Sequence, residues 1–220
     1  MPKILNPETK NFFESAMFQT LQTNKTGIFS NEGRCNEPRV VAENVKMICR
    51  QEFNNCLPAG TISLNLSDDL SRHSMGDINV TDCDGCNYYI DIITHNLDTN
   101  FNMPNITSIS RLSKYYSVNN PSSFFLILMI EYNINALGIN FQSVQLFAIE
   151  NISWDCLRIG SLGTGQIQLK NSNTIIIDYK LSREIWMSEF YRQAEIYYAN
   201  EISKAQERKN DLQVHSSEWK

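Results

Sequence analysis

Two aspartates, Asp77 and Asp91, are the residues of this sequence whose types and surroundings most suggest chemistry. Asp91 stands between Ile90 and Ile92 in an apolar segment, where an unpaired charge would be costly. Two carboxylates that converge on one point suit a hard divalent cation such as Mg²⁺, and the backbone carbonyl of Ile92 offers a third oxygen. Such a cation polarises a phosphoryl oxygen and lowers the pKa of an attacking water. The competing interpretation is a pair of solvated residues beside a turn.

A predicted β-hairpin positions the two aspartates. Residues 76–80 and 88–94 have the composition of strands, and the segment between them, Asp82-Cys-Asp-Gly-Cys86, is rich in turn-forming residues. Residues on opposite arms of an antiparallel hairpin approach each other closely. The hairpin is therefore expected to carry one aspartate on each arm and to bring the two together.

Cys83 and Cys86 in this hairpin also have the spacing of a zinc-binding pair. One such pair supplies only two ligands, and no second Cys-x-x-Cys or His pair follows it in the sequence. Asp84-Gly85 is a typical turn dipeptide. We therefore favour a turn, and a small zinc-binding interaction domain stays as an alternative function.

The rest of the pattern predicts a mixed α/β domain with a central sheet. A helix is predicted over 36–53, where Val41, Val45, Ile48 and Cys49 recur at helical spacing. Residues 1–220 are expected to form one domain, with a core of about 28–207 and a short C-terminal tail. A second helix is predicted over 106–116, and strands are predicted over 124–132, 144–149, 157–159 and 175–179. A long helix is predicted over 183–207, with a core-facing stripe of Trp186, Phe190, Tyr191, Ala194, Tyr197, Tyr198 and Ile202.

The overall charge counts against nucleic-acid binding by general basicity, because the 220 residues carry a formal net charge of −5. A local basic cleft would still bind DNA, and basic residues bunch in two places. Each cluster is either a binding surface or a solvated helix face: Arg34, Arg39, Lys46 and Arg50, then Arg192, Lys204, Arg208 and Lys209. The start of the sequence lacks a signal peptide, and the longest apolar run, 124–130, is too short to span a bilayer. A cytoplasmic protein without membrane contact is expected.

Several stretches resemble the type II restriction endonucleases related to HincII and, more distantly, those related to EcoRV. The hairpin resembles the D…D-x-K core of that family, in which a first Asp precedes a second by about a dozen residues. Other stretches follow in the family's order and spacing over roughly residues 28–207: Asn36-Glu-Pro38, Met103-Pro-Asn-Ile-Thr-Ser108, Gly165-Gln-Ile-Gln168 and Ser182-Arg-Glu-Ile-Trp186.

The resemblance implies an α/β fold of the PD-(D/E)xK restriction-endonuclease-like kind, with a central mixed sheet flanked by helices. It implies Mg²⁺-dependent cleavage of both strands of double-stranded DNA within a short palindrome, leaving blunt ends with 5′-phosphates. A homodimer in a bacterial cytoplasm, with a cognate DNA methyltransferase, is also implied. Asp77 and Asp91 would be the catalytic metal ligands, with Glu37 or Glu43 as a third acidic residue, Glu37 being preferred.

One position departs from the family pattern. The family has a lysine two residues after the second aspartate, and this chain has Ile93 there. Such a lysine orients or deprotonates the water or stabilises charge on the phosphorane, and isoleucine can do none of these. Three explanations stay open: Arg111 or Lys114 supplies the cation, the chain is an impaired variant, or the local alignment is shifted. The alternative function is a sequence-specific DNA-binding protein that does not cut.

Residues 160–170 are the predicted site of base recognition. Glycines let backbone groups approach base edges closely, and glutamine can make a bidentate contact to adenine. By the resemblance, the polar loop 96–105 lies near the minor groove. A plain turn and a solvated loop are the competing interpretations of the two segments. The predicted DNA-binding residues are Asn102, Asn105, Ser161, Gly163, Thr164, Gly165, Gln166, Gln168 and Lys170.

Overall fold

A computed structural model of the chain describes residues 3–29, 38–63, 76–99, 105–116, 121–135, 138–160, 165–170, 175–217 and 219. Within these ranges, four α-helices flank a five-stranded mixed sheet and a three-stranded antiparallel sheet, which confirms the predicted α/β class. The helices are α1 (Pro7–Phe29), α2 (Pro38–Glu52), α3 (Ile109–Tyr115) and α4 (Arg183–Ser217). The strands are β1 (Ile62–Ser63), β2 (Ile78–Asp82), β3 (Asn87–Asn96), β4 (Asn105–Ser108), β5 (Ser123–Asn135), β6 (Gly138–Ala148), β7 (Leu157–Gly160) and β8 (Gln166–Leu169).

The five-stranded sheet has the order β1-β2-β3-β5-β6. Strands β3 and β5 are parallel and the other neighbours are antiparallel. Residues 125–130 of β5 are all buried, because both faces of this central strand are covered. Strand β3, which bears Asp91, is therefore fixed between β2 on one side and a buried central strand on the other.

Helix α1 packs on one face of this sheet and was not among the predicted elements. Asn6 caps its start, because the Asn6 Oδ1 accepts a hydrogen bond from the Glu8 N–H at 3.0 Å. Phe13, Met17 and Leu21 follow at four-residue spacing and are fully buried. The capping residue and the apolar spacing are both legible in the sequence, so this helix could have been predicted.

Helix α2 lies on the same face and confirms the predicted early helix, with bounds Pro38–Glu52 in place of 36–53. Val41, Val45 and Cys49 are fully buried along one stripe, as expected. Lys46 and Arg50 each follow a buried residue of this stripe and lie on the neighbouring face of the helix.

Helices α3 and α4 and the smaller sheet cover the opposite face of the large sheet. Trp186 and Phe190 of α4 are buried there, with stacked rings 6.2 Å apart. Helix α4 runs past the predicted end at residue 207, and its residues 202–216 are exposed. The prediction of a core-facing stripe is therefore wrong for Tyr191, Tyr198 and Ile202, which are 46%, 42% and 70% exposed.

None of the helices in the described part of the chain is long and apolar enough to cross a membrane.

Two predicted elements take a different form. Residues 106–116 are not one helix, because β4 pairs with β8 before α3 begins. Ser108 marks the change and caps α3, its hydroxyl accepting a hydrogen bond from the Arg111 N–H at 3.2 Å. The predicted strand 175–179 is reduced to an isolated bridge between Ile152 and Ile177.

The predicted hairpin is observed as β2 and β3, at 78–82 and 87–96 in place of 76–80 and 88–94, so Asp77 lies directly before β2 rather than within it. Asp82 forms the turn. The Asp82 carboxylate accepts hydrogen bonds from the Asp84 N–H (2.8 Å), the Cys86 N–H (2.9 Å) and the Tyr88 hydroxyl (2.7 Å). Gly85 adopts the left-handed conformation that this turn requires, with φ of 81°. Among the described residues, no group of three or more His, Cys, Asp or Glu side chains is arranged to hold a metal ion. The cysteines of the turn therefore gain no further zinc ligand there.

Candidate active site

Asp77 and Asp91 lie beside each other at the open end of the β2–β3 pair. Ile78 pairs with Ile90 in the antiparallel register, so one step outward sets Asp77 next to Asp91. Gly76 permits this approach, since a Cβ atom there would lie 2.7 Å from the carbonyl oxygen of Ile90. The two aspartates therefore converge, as the hairpin predicts.

The surroundings of the half-buried Asp91 favour its protonated form. Burial raises the pKa of Asp91, and the negative charge of Asp77 and the hydrogen bond between the two groups raise it further, to about 8. The positive charges of Lys46 and Arg111 act in the opposite direction without cancelling this effect. In the absence of a bound cation, the pair of carboxyl groups therefore holds one proton near neutral pH.

Asp77 is the ionised member of the pair. Its Oδ2 accepts hydrogen bonds from the Ile92 N–H (3.0 Å) and from Lys46 Nζ (2.9 Å), and its Oδ1 accepts one from Arg50 Nη2 (2.5 Å). Burial acts to raise the pKa of Asp77, but the charge of Lys46, the Ile92 hydrogen bond and the charge of Arg50 outweigh burial and lower it. Arg50 also donates from Nε to the Asp77 backbone carbonyl (3.2 Å). This aspartate is thus held in place through both its side chain and its backbone.

Helix α2 supplies both cations, because Lys46 and Arg50 are four residues apart and share one helix face. Burial of the neighbouring stripe, which includes Val45 and Cys49, fixes this face against the end of the hairpin. The solvated-face interpretation of the early basic cluster is therefore wrong for these two residues, whose side chains are only 25% and 36% exposed. The four-residue spacing is visible in the sequence. Its target, Asp77, is a contact between distant elements and is not.

Ile93 lies on the same face of β3 as Asp91 and is 4% exposed within the second apolar core. Position 93 therefore contributes no cation to the site. Of the two replacements considered from the sequence, Arg111 acts on Asp91 through its charge. Lys114 is exposed and lies over the Tyr115 ring, 5.3 Å from its centroid.

The residues around the aspartates fit a hard divalent cation such as Mg²⁺, which takes oxygen ligands and retains several waters. Asp77 and Asp91 present carboxyl oxygens at one point, and a cation there would relieve the repulsion that raises the Asp91 pKa. The Ile92 N–H faces Asp77, and the carbonyl of a strand residue points to the same side as its N–H. The Ile92 carbonyl, the third oxygen expected from the sequence, is therefore directed towards the side of the strand on which Asp77 lies. Glu43 is exposed on α2, and Glu37 lies outside the described residues, among which no third acidic side chain joins the pair.

The buried side chain of Gln168 links the three strands of the smaller sheet. Its Nε2 donates to Asn105 Oδ1 (2.5 Å), and its Oε1 accepts a hydrogen bond from Arg158 Nε (3.3 Å). Gln168 is 5% exposed, whereas Asn105 and Arg158 are exposed on the outer strands. Gln168 therefore holds two surface residues in register. Arg158 was not among the predicted DNA-binding residues, and its place beside Gln168 follows only from the strand pairing.

The other predicted recognition residues have varied surroundings. Gly165 has a φ of 93°, a conformation that residues with a side chain rarely adopt, and a Cβ atom there would also lie 2.6 Å from Ile109 Cδ1. Gln166 is half-buried in β8, and the exposed Lys170 donates from Nζ to the Asp155 carbonyl (3.0 Å). Four predicted residues lie outside the described part of the chain: Asn102, Ser161, Gly163 and Thr164.

A groove with a volume of about 780 Å³ opens between β7, β8 and α4. Arg158, Lys170 and Lys204 contribute positive charge to its lining, and Glu201 contributes negative charge. Lys204 is paired with Glu201 at 2.9 Å. The net positive charge of the groove is therefore carried by Arg158 and Lys170.

Two comparisons with known proteins found no match for the chain: no protein-family model matches it, and no curated protein matches it. The function is therefore inferred from the two aspartates, the cations beside them and the basic groove.

Proposed function

We propose that this chain is a type II restriction endonuclease with a PD-(D/E)xK fold, which hydrolyses DNA phosphodiester bonds in a Mg²⁺-dependent reaction. One observation carries the proposal: Asp77 and Asp91 converge at the open end of a hairpin, next to the basic side chains of Lys46 and Arg50. Acidic groups whose pKa values are driven apart at one place are typical of functional sites. By resemblance to the HincII-related enzymes, the proposal extends to a short palindromic site, blunt ends and 5′-phosphates.

The protein's own residues prepare the proposed site for the reaction. Bound Mg²⁺ would polarise the scissile phosphate and supply a water of lowered pKa. Arg50 fixes Asp77 through its carboxylate and its carbonyl, and the Ile92 N–H orients the same carboxylate. Asp91 would have to lose its proton to act as a ligand, so cation binding is expected to strengthen as the pH rises towards 8.

The basic groove is the proposed path of the DNA backbone. Arg158 and Lys170 would contact phosphates, which position a duplex without reading its sequence. Gln166 and Asn105 lie on the neighbouring strands and are the described candidates for contacts to bases. Gln168 supports this surface from beneath through its hydrogen bond to Asn105.

A symmetric homodimer and a cognate DNA methyltransferase complete the proposal. A two-fold symmetric protein matches a palindromic site. The second half of α4 exposes apolar side chains that a second copy would bury, namely Ile202, Leu212 and Val214. The methyltransferase would protect the host's own copies of the site.

Incubation of plasmid DNA with the purified protein and Mg²⁺ tests the proposed activity. We expect discrete fragments with 5′-phosphates, and intact plasmid when EDTA replaces Mg²⁺. Asp91→Asn should abolish the fragments, whereas Asp84→Asn, on the exposed hairpin turn, is the matched control and should leave them unchanged. Full cleavage by Asp91→Asn would remove this carboxyl group from the reaction.

A second candidate function is favoured by the burial of Ile93 in the apolar core. With no lysine at that position, the chain would bind its DNA site and not cut it. A gel shift with Ca²⁺ in place of Mg²⁺ separates the two functions. A site-specific shift, together with intact DNA in Mg²⁺, supports the binding protein.

A further inference from the structure

The proposed site needs a positive charge near the reacting phosphate, and position 93 does not provide one. Negative charge builds up on the phosphoryl oxygens as the water attacks, and a fixed cation stabilises that charge. Ile93 is buried in the second core and is apolar. The cation must therefore come from another element.

Lys46 of α2 is placed to supply this charge. Its Nζ lies 2.9 Å from Asp77 Oδ2, the oxygen that faces the Ile92 N–H. Its positive charge also lowers the pKa of Asp91, so it acts on both of the proposed ligands. The Lys46 side chain is 25% exposed, which leaves its end accessible from solvent.

The two α2 cations differ in how they contact Asp77. Arg50 donates to both the carboxylate and the backbone carbonyl of Asp77, which suits a residue that holds the ligand in position. Lys46 contacts a single carboxylate oxygen. A lysine has three donors on a flexible stem, so its ammonium can move from this oxygen to a phosphate when a divalent ion binds.

We propose that Lys46 provides the active-site positive charge that position 93 lacks, next to the divalent cation held by Asp77 and Asp91. In the reaction, the oxygen of water bonds to phosphorus and water loses a proton to solvent. The bond from phosphorus to the 3′ oxygen breaks, and this oxygen takes a proton from solvent, which leaves a 5′-phosphate and a 3′-hydroxyl. Lys46 keeps its proton throughout and forms no bond to the DNA. This inference rests on the proposed nuclease function.

The test compares Lys46→Met, Lys46→Arg and the control Lys25→Met, which changes an exposed lysine of α1. Cleavage rate is measured in Mg²⁺, and Mn²⁺ binding to the DNA-free protein is measured by calorimetry. We expect Lys46→Met to lower the cleavage rate by about 100-fold or more. The affinity of this variant for Mn²⁺ should be equal to or higher than that of the wild type, because the positive charge of Lys46, which repels the cation, is removed from beside Asp77. Lys46→Arg should retain more cleavage than Lys46→Met, and Lys25→Met should match the wild type in both measurements.

Three results would overturn the inference. Cleavage by Lys46→Met at the wild-type rate would show that the charge is not used, and the nuclease function would stand. Loss of Mn²⁺ binding together with cleavage would show that Lys46 only holds the ligands in place. A wild-type protein that binds Mn²⁺ and DNA without cutting would overturn the proposed role of Lys46 and support the DNA-binding function. A wild-type protein that binds no Mn²⁺ would overturn both this role and the nuclease proposal. Should Lys46→Met fail to fold, Lys46→Gln, which keeps a donor to Asp77, is measured in the same way.

Discussion

Replacing the two aspartates by asparagine, one at a time, should affect the stability of the cation-free protein in opposite directions. Asp77→Asn leaves Lys46 and Arg50 beside a neutral amide. The side chains of Asp77 and Lys46 are 14% and 25% exposed, so the strength of this ion pair is expected to lie between that of a fully buried pair and that of an exposed one. Breaking a fully buried pair costs about 3–5 kcal/mol, and breaking an exposed one about 0–1 kcal/mol. The Arg50 side chain is 36% exposed and screened by solvent, so we expect a loss of about 2 kcal/mol in the free energy of unfolding.

Asp91→Asn should not destabilise the protein, because between pH 4 and pH 8 the carboxyl group of Asp91 is protonated in the folded protein and ionised in the unfolded chain. Its pKa is raised from 3.8 to about 8 in the folded state, so folding takes up a proton between these values. Stability is therefore lost as the pH rises from about 4 to about 8, by at most about 1.4 kcal/mol per pH unit. Asparagine removes this dependence. The variant should equal the wild type near pH 4 and exceed it in stability at pH 8.

Urea unfolding in EDTA, at intervals between pH 4 and pH 8, measures both effects. Asp84→Asn is again the control for the loss of one surface carboxylate. The reasoning is refuted if Asp91→Asn loses as much stability at pH 8 as Asp77→Asn does. That result would mean that Asp91 is ionised and paired, and that the two carboxyl groups do not share a proton.

Two further substitutions test the positions around the pair. Ile93→Lys should create or raise Mg²⁺-dependent cleavage if its ammonium reaches Asp91, at a cost of about 2–4 kcal/mol in the free energy of unfolding for a charge placed in the core; a folded, DNA-binding variant with no gain in cleavage would contradict the assignment of position 93. Gly76→Ala should cost about 1–3 kcal/mol and weaken Mn²⁺ binding in a calorimetric titration, because a Cβ atom would lie 2.7 Å from the Ile90 carbonyl oxygen and push Asp77 away. Gly27→Ala in α1 is its control, since a Cβ atom at that position meets nothing within 4 Å; equal Mn²⁺ affinity in the two glycine variants would argue against this role of Gly76.

The elements governed by local sequence were largely predictable. The β2–β3 hairpin follows from two strand-like segments around Asp84-Gly85, and the α2 stripe follows from apolar residues at helical spacing. Helix α1 was missed even though Asn6 and the run Phe13, Met17, Leu21 mark it. The last residues of the stripe predicted on α4, Tyr198 and Ile202, do not face the core, because periodicity alone does not show where the sheet beneath the helix ends.

The partners of the aspartates were not predictable, because they depend on how distant elements pack. Lys46 is separated from Asp77 by 31 positions in the sequence, and Arg50 by 27. Similarly, Gln168 contacts Asn105 across 63 positions, which turns a predicted base-reading residue into a support for its neighbours. Residue types alone indicated where chemistry was expected, and the packing of α2 determined which charges meet there.

Calorimetric titration of the DNA-free protein with Mn²⁺ at pH 8 is the most direct test of whether these carboxyl groups bind a cation. Mn²⁺ takes the same oxygen ligands as Mg²⁺. The wild type should bind one ion per chain and release about half a proton, because Asp91 with a pKa of about 8 is half protonated at this pH, and Asp91→Asn should bind none. Binding of equal strength in both proteins, or none in the wild type, would contradict the account.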